Sequence, residues 1–350
     1  MKIVLQGRAI GPQRQLYERA GFEILEGRAS TEQELMDLIG NADGAQVGTI
    51  PNTSAAVLAA CPNLKVVSRF GVGVDSIDLD AATARGVMVT NVPGSNTSEV
   101  ADHAMAMLLA MTRRLYDAIA TTRDGAWADD PKLTGRYYRE VRRLTGHTVG
   151  IIGFGNIGRA FAQRVRGFGV SRILAYDPFV DQLAGDLQGV QLVGLEELLA
   201  EADYISIHCS ATAESRHLIN ADTLKLMKPT ALLVNTARGP IIDGEALADA
   251  LQAGTIEAAS LDVTEIEPVP GDSRLLTLPN CYVTPHIAGF SPTFMEETAI
   301  RQAENIIRVL TGTKPHGLAN PEVIKTIAVL RNTDPGRWRG VPDFSTALQL

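Results

Sequence analysis

Cysteine is scarce in this chain. Its 350 residues include three, Cys61, Cys209 and Cys281, with no C-x-x-C spacing among them. An odd, scattered set excludes a disulfide framework and reads as buried, reduced thiols in a cytoplasmic protein; no metal site is expected. Basic residues are in deficit, 32 Lys and Arg against 40 Asp and Glu, for a formal charge of −8. With no long Lys/Arg cluster, that balance argues against a nucleic-acid partner. No apolar run approaches the ~20 residues that a bilayer span needs. The most apolar helical stretch, Ala104 to Met111, is bracketed by Asp102-His103 and Arg113-Arg114, so no membrane partner is expected. The opening Met1-Lys2-Ile3-Val4-Leu5 reads as a first strand rather than a signal-peptide core. Internal repeats and low-complexity segments are absent as well.

The hydrophobic content of 45% and charged content of 21% suit a globular protein, and the length allows two domains. Short apolar runs at Lys2–Gln6, Ala45–Thr49, Lys65–Arg69 and Val87–Thr90 read as strands, with helical patterns at Thr31–Ile39 and Ser54–Cys61 between them. The alternation recurs further on, with strands at Tyr204–His208, Ala231–Asn235, Ala258–Val263 and Cys281–Thr284. Helices are expected at Thr223–Met227 and Gly244–Gly254. Strands alternating with helices predict parallel sheets covered on both faces, hence an α/β fold of two doubly wound, Rossmann-like units. A last amphipathic helix, Pro292 to Leu310, could return to the first unit and make it discontinuous. The expected division is 1–98 with 290–350 for a substrate domain, and 99–289 for a dinucleotide domain. From about Asn332 the periodicity weakens, and an extended or partly disordered arm is expected.

The sharpest feature is Thr148-Val149-Gly150-Ile151-Ile152-Gly153-Phe154-Gly155-Asn156-Ile157-Gly158, followed by Tyr176-Asp177-Pro178. A strand runs into G-x-G-x-x-G and a helix follows, with an acid at the end of the next strand. Gly153 permits a tight turn, Gly155 lets backbone approach a pyrophosphate, and Gly158 lets helix and strand pack closely. The pyrophosphate is expected on the helix N-terminus, where free N–H groups and the dipole favour an anion. Asp177 is placed to accept from ribose hydroxyls. It would repel a 2′-phosphate, and no basic residue follows among Pro178, Phe179, Val180 and Asp181, so NAD is expected over NADP.

Hydride chemistry needs a proton carrier titrating near neutrality, for which histidine is suited. A carboxylate beside it would hold the tautomer, and arginine suits an anionic substrate. Candidates follow strands: Asn235-Thr236-Ala237-Arg238-Gly239, then Asp262-Val263-Thr264-Glu265-Ile266-Glu267-Pro268, then Thr284-Pro285-His286. Ligands in open α/β sheets bind beyond the carboxyl ends of strands, so these turns should share one crevice.

With these residues and with Gly71-Val72-Gly73-Val74-Asp75 and Asn91-Val92-Pro93-Gly94, the chain resembles the D-isomer-specific 2-hydroxyacid dehydrogenases over about residues 40 to 322. The phosphoglycerate dehydrogenase-like branch is the nearest. The resemblance implies His286 as acid/base, Glu267 as its partner, and Arg238 as the anchor of the substrate carboxylate. It implies that the amides of Val72 and Gly73 take the other carboxylate oxygen. It puts Asn156 and Ile157 at the pyrophosphate, Thr236, Ala237, Arg238, Asp262 and His286 around the nicotinamide, and Cys209, Ser210 and Ser215 along the cofactor's path. A homodimer is implied too, with Ala101 to Leu115 as a contact helix or as ordinary core.

Glu265 is read as a solvated loop carboxylate, and His103 and His208 as structural. Where the phosphoglycerate branch tends to carry Arg-Ser facing a phosphate, this chain has Gly48-Thr49, whereas Arg69 matches that branch. Phosphoglycerate, glyoxylate or hydroxypyruvate, and bulkier 2-ketoacids stay open. So does an NAD-sensing, corepressor-like binding protein on the same fold.

Overall fold

Short runs buried on both faces form the central strands of two parallel sheets, which is why they read in sequence as continuous apolar segments rather than as alternation. The computed structural model describes residues 1–343. It divides into two units, Met1–Asn96 joined by the chain from Ser291, and Thr97–Phe290.

The first unit is built on β1 (Lys2–Gln6), β2 (Glu23–Gly27), β3 (Gly44–Val47), β4 (Val66–Arg69) and β5 (Met88–Thr90). All pair in parallel in the order β2-β1-β3-β4-β5, so the strand order reverses between β1 and β3. The helix Pro292–Leu310 closes one face of this unit. It starts cleanly because Ser291 Oγ accepts from Phe294 N at 2.9 Å and Pro292 fits the first turn. Its Ala303, Ile306, Val309 and Leu310 are buried against Ile3, Leu5, Val66 and Met88. At ~1.5–3 kcal/mol for each large aliphatic side chain removed from water, that face alone holds the segment in place.

The expected loose arm from Asn332 is corrected by the structure. A helix runs Val323–Thr333, and beyond it Trp338 and Val341 are buried in the same core as Tyr17 and Ile306. Arg331 and Arg337 lie over the Trp338 ring at 5.1 and 5.8 Å. One indole supplied the burial that weak periodicity concealed. The end of the expected arm, 344–350, lies outside the described residues.

The second unit carries β6 (Thr148–Ile152), β7 (Arg172–Tyr176), β8 (Gln191–Leu192), β9 (Tyr204–Ile207), β10 (Leu232–Asn235), β11 (Ala258–Leu261) and β12 (Cys281–Val283). Their order is β12-β11-β10-β9-β6-β7-β8, parallel throughout, with the reversal between β6 and β9. That is the dinucleotide-binding arrangement extended by one strand. The register pairs Ile152 with Tyr176 and Ile207, Asn235 with Ile207 and Leu261, and Leu261 with Val283. The carboxyl ends of these strands therefore finish level, and the turns after β6, β7, β10, β11 and β12 leave from one edge.

The helix Thr97–Thr112 is largely core. Ala101, Ala104, Met105, Met107, Leu108 and Met111 are buried against Phe161, Val165, Val149 and Val234 of this unit. Its wide apolar face reflects burial on several sides. Strands β2 and β8 are missing from the sequence pattern because they are sheet edges and largely exposed, which leaves little apolar signal.

Candidate active site

The glycine turn is dictated by contacts that leave no room for a side chain. Gly153 sits at φ +93°, and a Cβ there would lie 2.4 Å from Cys209 N; at Gly158 it would lie 2.1 Å from Gly153 O. At Gly155 a Cβ would meet nothing of the chain within 4 Å, so that face is open to a ligand. Gly155 caps the helix Asn156–Arg166 without a side-chain hydrogen bond, leaving first-turn N–H groups for an anion. Asp177 is held from both sides: Oδ2 accepts from Phe154 N at 2.8 Å and Oδ1 from Phe179 N at 2.9 Å. The strand-end acid is thus locked onto the glycine turn.

Across the reversal point, Ser215 Oγ donates to Ser210 O at 2.8 Å and accepts from Thr212 N at 2.7 Å, shaping the loop after β9. Cys209 is half-buried in that loop, and burial pushes its thiol up to about 11, so it contributes shape rather than a thiolate. After β10, the buried Asn235 closes its turn, donating from Nδ2 to Arg238 O at 3.0 Å and accepting from Ala237 N at 3.0 Å. Thr236 Oγ1 is buried with no partner among the described residues. A buried hydroxyl lacking a partner in the chain fits a site completed by a polar ligand, and with the open Gly155 face the residues suit a dinucleotide.

The proton-handling groups meet after β11 and β12. His286 Nδ1 hydrogen-bonds Glu267 Oε2 at 2.7 Å, and Glu267 Oε1 accepts from Thr264 N at 3.1 Å. Burial pushes the Glu267 carboxyl up, but the His286 bond and charge, the Thr264 N–H and the Arg238 guanidinium outweigh it. Together they hold Glu267 below its ordinary value, so it is a carboxylate at neutral pH. The pair is open to solvent, with side chains 48% and 37% exposed. Gly239 keeps the Arg238 turn against this loop, since a Cβ there would lie 1.9 Å from Thr264 O.

Asp262, 1% exposed, is a brace. Its Oδ1 accepts from Thr284 Oγ1 at 2.6 Å and Ile287 N at 3.0 Å, and its Oδ2 from Ala288 N at 2.8 Å. Its own carbonyl accepts from His286 N at 2.9 Å. Those bonds fix both flanks of His286, which sits at φ +53°, a region few side-chain-bearing residues adopt. His103 stands behind them, Nε2 3.3 Å from Thr284 Oγ1 and 3.6 Å from Asp262 Oδ1. The Thr284 proton is committed to Asp262, so His103 is the donor in this chain. The sequence offered no sign of it: a histidine 181 positions from its partner reads as an ordinary helix residue.

Two expectations about neighbours are settled by the geometry. His208 is partly buried, Nε2 2.9 Å from Ser206 Oγ and its ring against Phe161; burial lowers its pKa to about 3, so it is neutral and structural. Glu265 is not a merely solvated carboxylate. It bonds Arg216 Nη2 and His217 Nε2, each at 2.8 Å, and ties the loop after β11 to the loop after β9.

Val72 and Gly73 belong to the first unit, in the loop after β4. Asn91 Nδ2 donates to Val72 O at 2.6 Å and Val92 N to Gly71 O at 2.9 Å, so the loop is anchored from β5. The N–H groups of Val72 and Gly73 have no acceptor among the described residues, as a carboxylate cradle requires. Arg69 is buried, with Nη1 turned onto Phe70 O.

A family model described as D-isomer specific 2-hydroxyacid dehydrogenase, NAD binding domain, matches residues 105–288. The chain belongs to the D-isomer-specific 2-hydroxyacid dehydrogenase family. It is an NAD-dependent oxidoreductase acting on CH–OH donors. A glyoxylate reductase of Korarchaeum cryptofilum is 43% identical over 273 residues, covering 77% of this chain and 80% of that one. A D-3-phosphoglycerate dehydrogenase of Mycobacterium bovis is 40% identical over 279 residues, 80% of this chain but 51% of the relative, so the chain spans about half the length of that enzyme. Among solved structures, a Thermus thermophilus protein superposes with a TM-score of 0.82 at 36% identity, covering 91% of this chain and all of the other.

Proposed function

We propose that this family member reduces a small 2-ketoacid to the D-2-hydroxyacid, with His286, Glu267 and Arg238 as its catalytic residues. The observation that carries the reading is the 2.7 Å bond between His286 Nδ1 and Glu267 at the edge where all the strand-end turns finish. Glu267 Oε2 accepts a hydrogen bond from His286 Nδ1–H, which leaves Nε2 to face the reacting oxygen. Bound NADH supplies the hydride that reaches the substrate's C2. His286 Nε2 gives the oxygen its proton, and Glu267 steadies the imidazolium beforehand. Arg238 holds the carboxylate and polarises the carbonyl; in the first unit, the amides of Val72 and Gly73 form a carboxylate cradle. Thr236, Ala237, Asp262 and His286 border the nicotinamide, Asp262 acting through the loop it braces. Asn156, Ile157 and the three motif glycines meet the pyrophosphate, and Cys209, Ser210 and Ser215 line the path.

The substrate reading favours glyoxylate or hydroxypyruvate over a phosphorylated ketoacid. Gly48-Thr49 offers no cation after β3, and Arg69 is turned into its own loop. Assaying NADH oxidation against glyoxylate, hydroxypyruvate, phosphohydroxypyruvate and bulkier 2-ketoacids tests this. Fastest turnover of phosphohydroxypyruvate would reverse the substrate reading, and no turnover with any would remove the reaction.

Asp177 carries the choice of NAD over NADP. Asp177→Ala is expected to shrink the ratio of kcat/KM for NADH over NADPH by about tenfold or more, since one like-charge contact in a partly buried site is worth over ~1.4 kcal/mol. An unchanged ratio would take the discrimination away from this residue.

A cytoplasmic homodimer without a nucleic-acid partner completes the proposal. Support for the dimer comes from 115–140 in the second unit, whose helical segments Leu115–Arg123, Ala126–Asp129 and Thr134–Glu140 bury no residue. Leu115, Ile119, Trp127 and Tyr138 stand exposed there. Sedimentation should give twice the 37.5 kDa chain mass, and Trp127→Glu should return it to one; a wild-type chain sedimenting as a monomer would refute this.

A further inference from the structure

The first unit holds a cavity of about 570 Å³ lined by none of the residues given a role in the reaction above. It opens at the carboxyl ends of β1 and β3, where that sheet's strand order reverses, which is where doubly wound sheets take ligands. Phe70 and Met295 give it apolar walls, and Gln6, Arg8, Gln13, Gln46, Glu296 and Gln302 supply its polar side chains.

Two of its donors stand out: the start of a helix and a buried amide. The helix Gly11–Arg19 begins at the cavity with no side-chain cap and no acidic residue in its first turn. Gln46 is 4% exposed, and its amide orientation follows from its neighbours. Ile10 N–H can only donate, and Gln13 Oε1 accepts it at 3.2 Å. Gln13 Nε2 therefore points at Gln46 Oε1, and Gln46 Nε2 is left with no acceptor among the described residues. A buried donor without an acceptor is costly, and here it lies beside an uncapped helix terminus and the exposed Arg8 guanidinium. Glu296, on the rim, is the one opposing charge among the lining residues.

We propose that this cavity is a binding site for a small anion, a phosphate or carboxylate group, received by Gln46 Nε2, the N–H groups of Gly11 and Gln13 at the start of the Gly11–Arg19 helix, and Arg8. The site goes beyond the ketoacid reading and stands whether or not His286 is catalytic.

Inorganic phosphate titrated calorimetrically into the full chain loaded with NADH is the test, because the cofactor then fills the pyrophosphate site. One saturable phosphate site is expected, weakened about tenfold or more by Arg8→Ala and by Gln46→Leu, as suits the loss of a charge-assisted bond. Arg238→Ala should leave it intact, and Arg8→Ala should leave glyoxylate reduction unchanged. Phosphate that competes with the ketoacid would identify the occupant as a substrate's distal acidic group. Phosphate that binds without competing would identify a separate anion. No saturable binding by the wild type, or binding that survives Arg8→Ala and Gln46→Leu but vanishes in Arg238→Ala, would overturn the proposal.

Discussion

His286→Gln is expected to lower kcat for ketoacid reduction by about 10²–10⁴-fold, the usual worth of a positioned acid/base. Glutamine keeps a polar side chain in the same loop but cannot deliver a proton. The loop itself should survive, because its bonds to Asp262 come from the backbone of residues 286, 287 and 288. NADH affinity, read by fluorescence titration, should therefore change little. A large loss of NADH binding with the same fall in rate would mean that the residue holds the cofactor rather than the proton.

Glu267→Gln should produce a second large effect with a different signature. The amide preserves the shape at 2.7 Å from His286 but removes the negative charge that favours the imidazolium. Reduction consumes a proton that His286 delivers, and without the carboxylate nothing orients the ring or offsets its positive charge. At neutral pH the rate should fall about 10²-fold. The wild-type enzyme has a complementary feature. The folded Glu267 carboxyl lies below its ordinary value, so the pair's contribution is present at neutral pH and is lost only as pH falls through that lowered value. An E267Q profile that overlays the wild type would separate Glu267 from the proton transfer.

The glycine turn was legible because its constraint is local. Gly158 must lack a Cβ that would strike Gly153 O, five residues away, so spacing alone betrays it. The strand-end acid was legible for the same reason, since Asp177 bonds directly to the Phe154 amide. Arg238, Glu267 and His286 were identifiable as strand-end residues, but roles came only through resemblance to a family. Nothing local in the sequence says that Glu267 rather than Glu265 meets His286; the loop course decides it, sending Glu265 to Arg216 and His217. His103 was invisible because its partners lie far along the chain and meet it only where helix Thr97–Thr112 packs against β10 and β11. Elements were missed where burial was slight, as in β2 and β8, or came from one large side chain, as with Trp338. Periodicity reports faces of regular elements, and neither case has one.

The most direct measurement follows the hydride. NADH deuterated at C4 of the nicotinamide, separately on each face, would be incubated with the protein and glyoxylate or hydroxypyruvate, and the product analysed by mass spectrometry and NMR. Deuterium from one face only, carried to C2 of the hydroxyacid, with the D configuration when hydroxypyruvate is reduced, is the result expected. NADH bound without label reaching any hydroxyacid, across the ketoacid panel, would contradict it and leave a dinucleotide-sensing protein on an enzyme's fold.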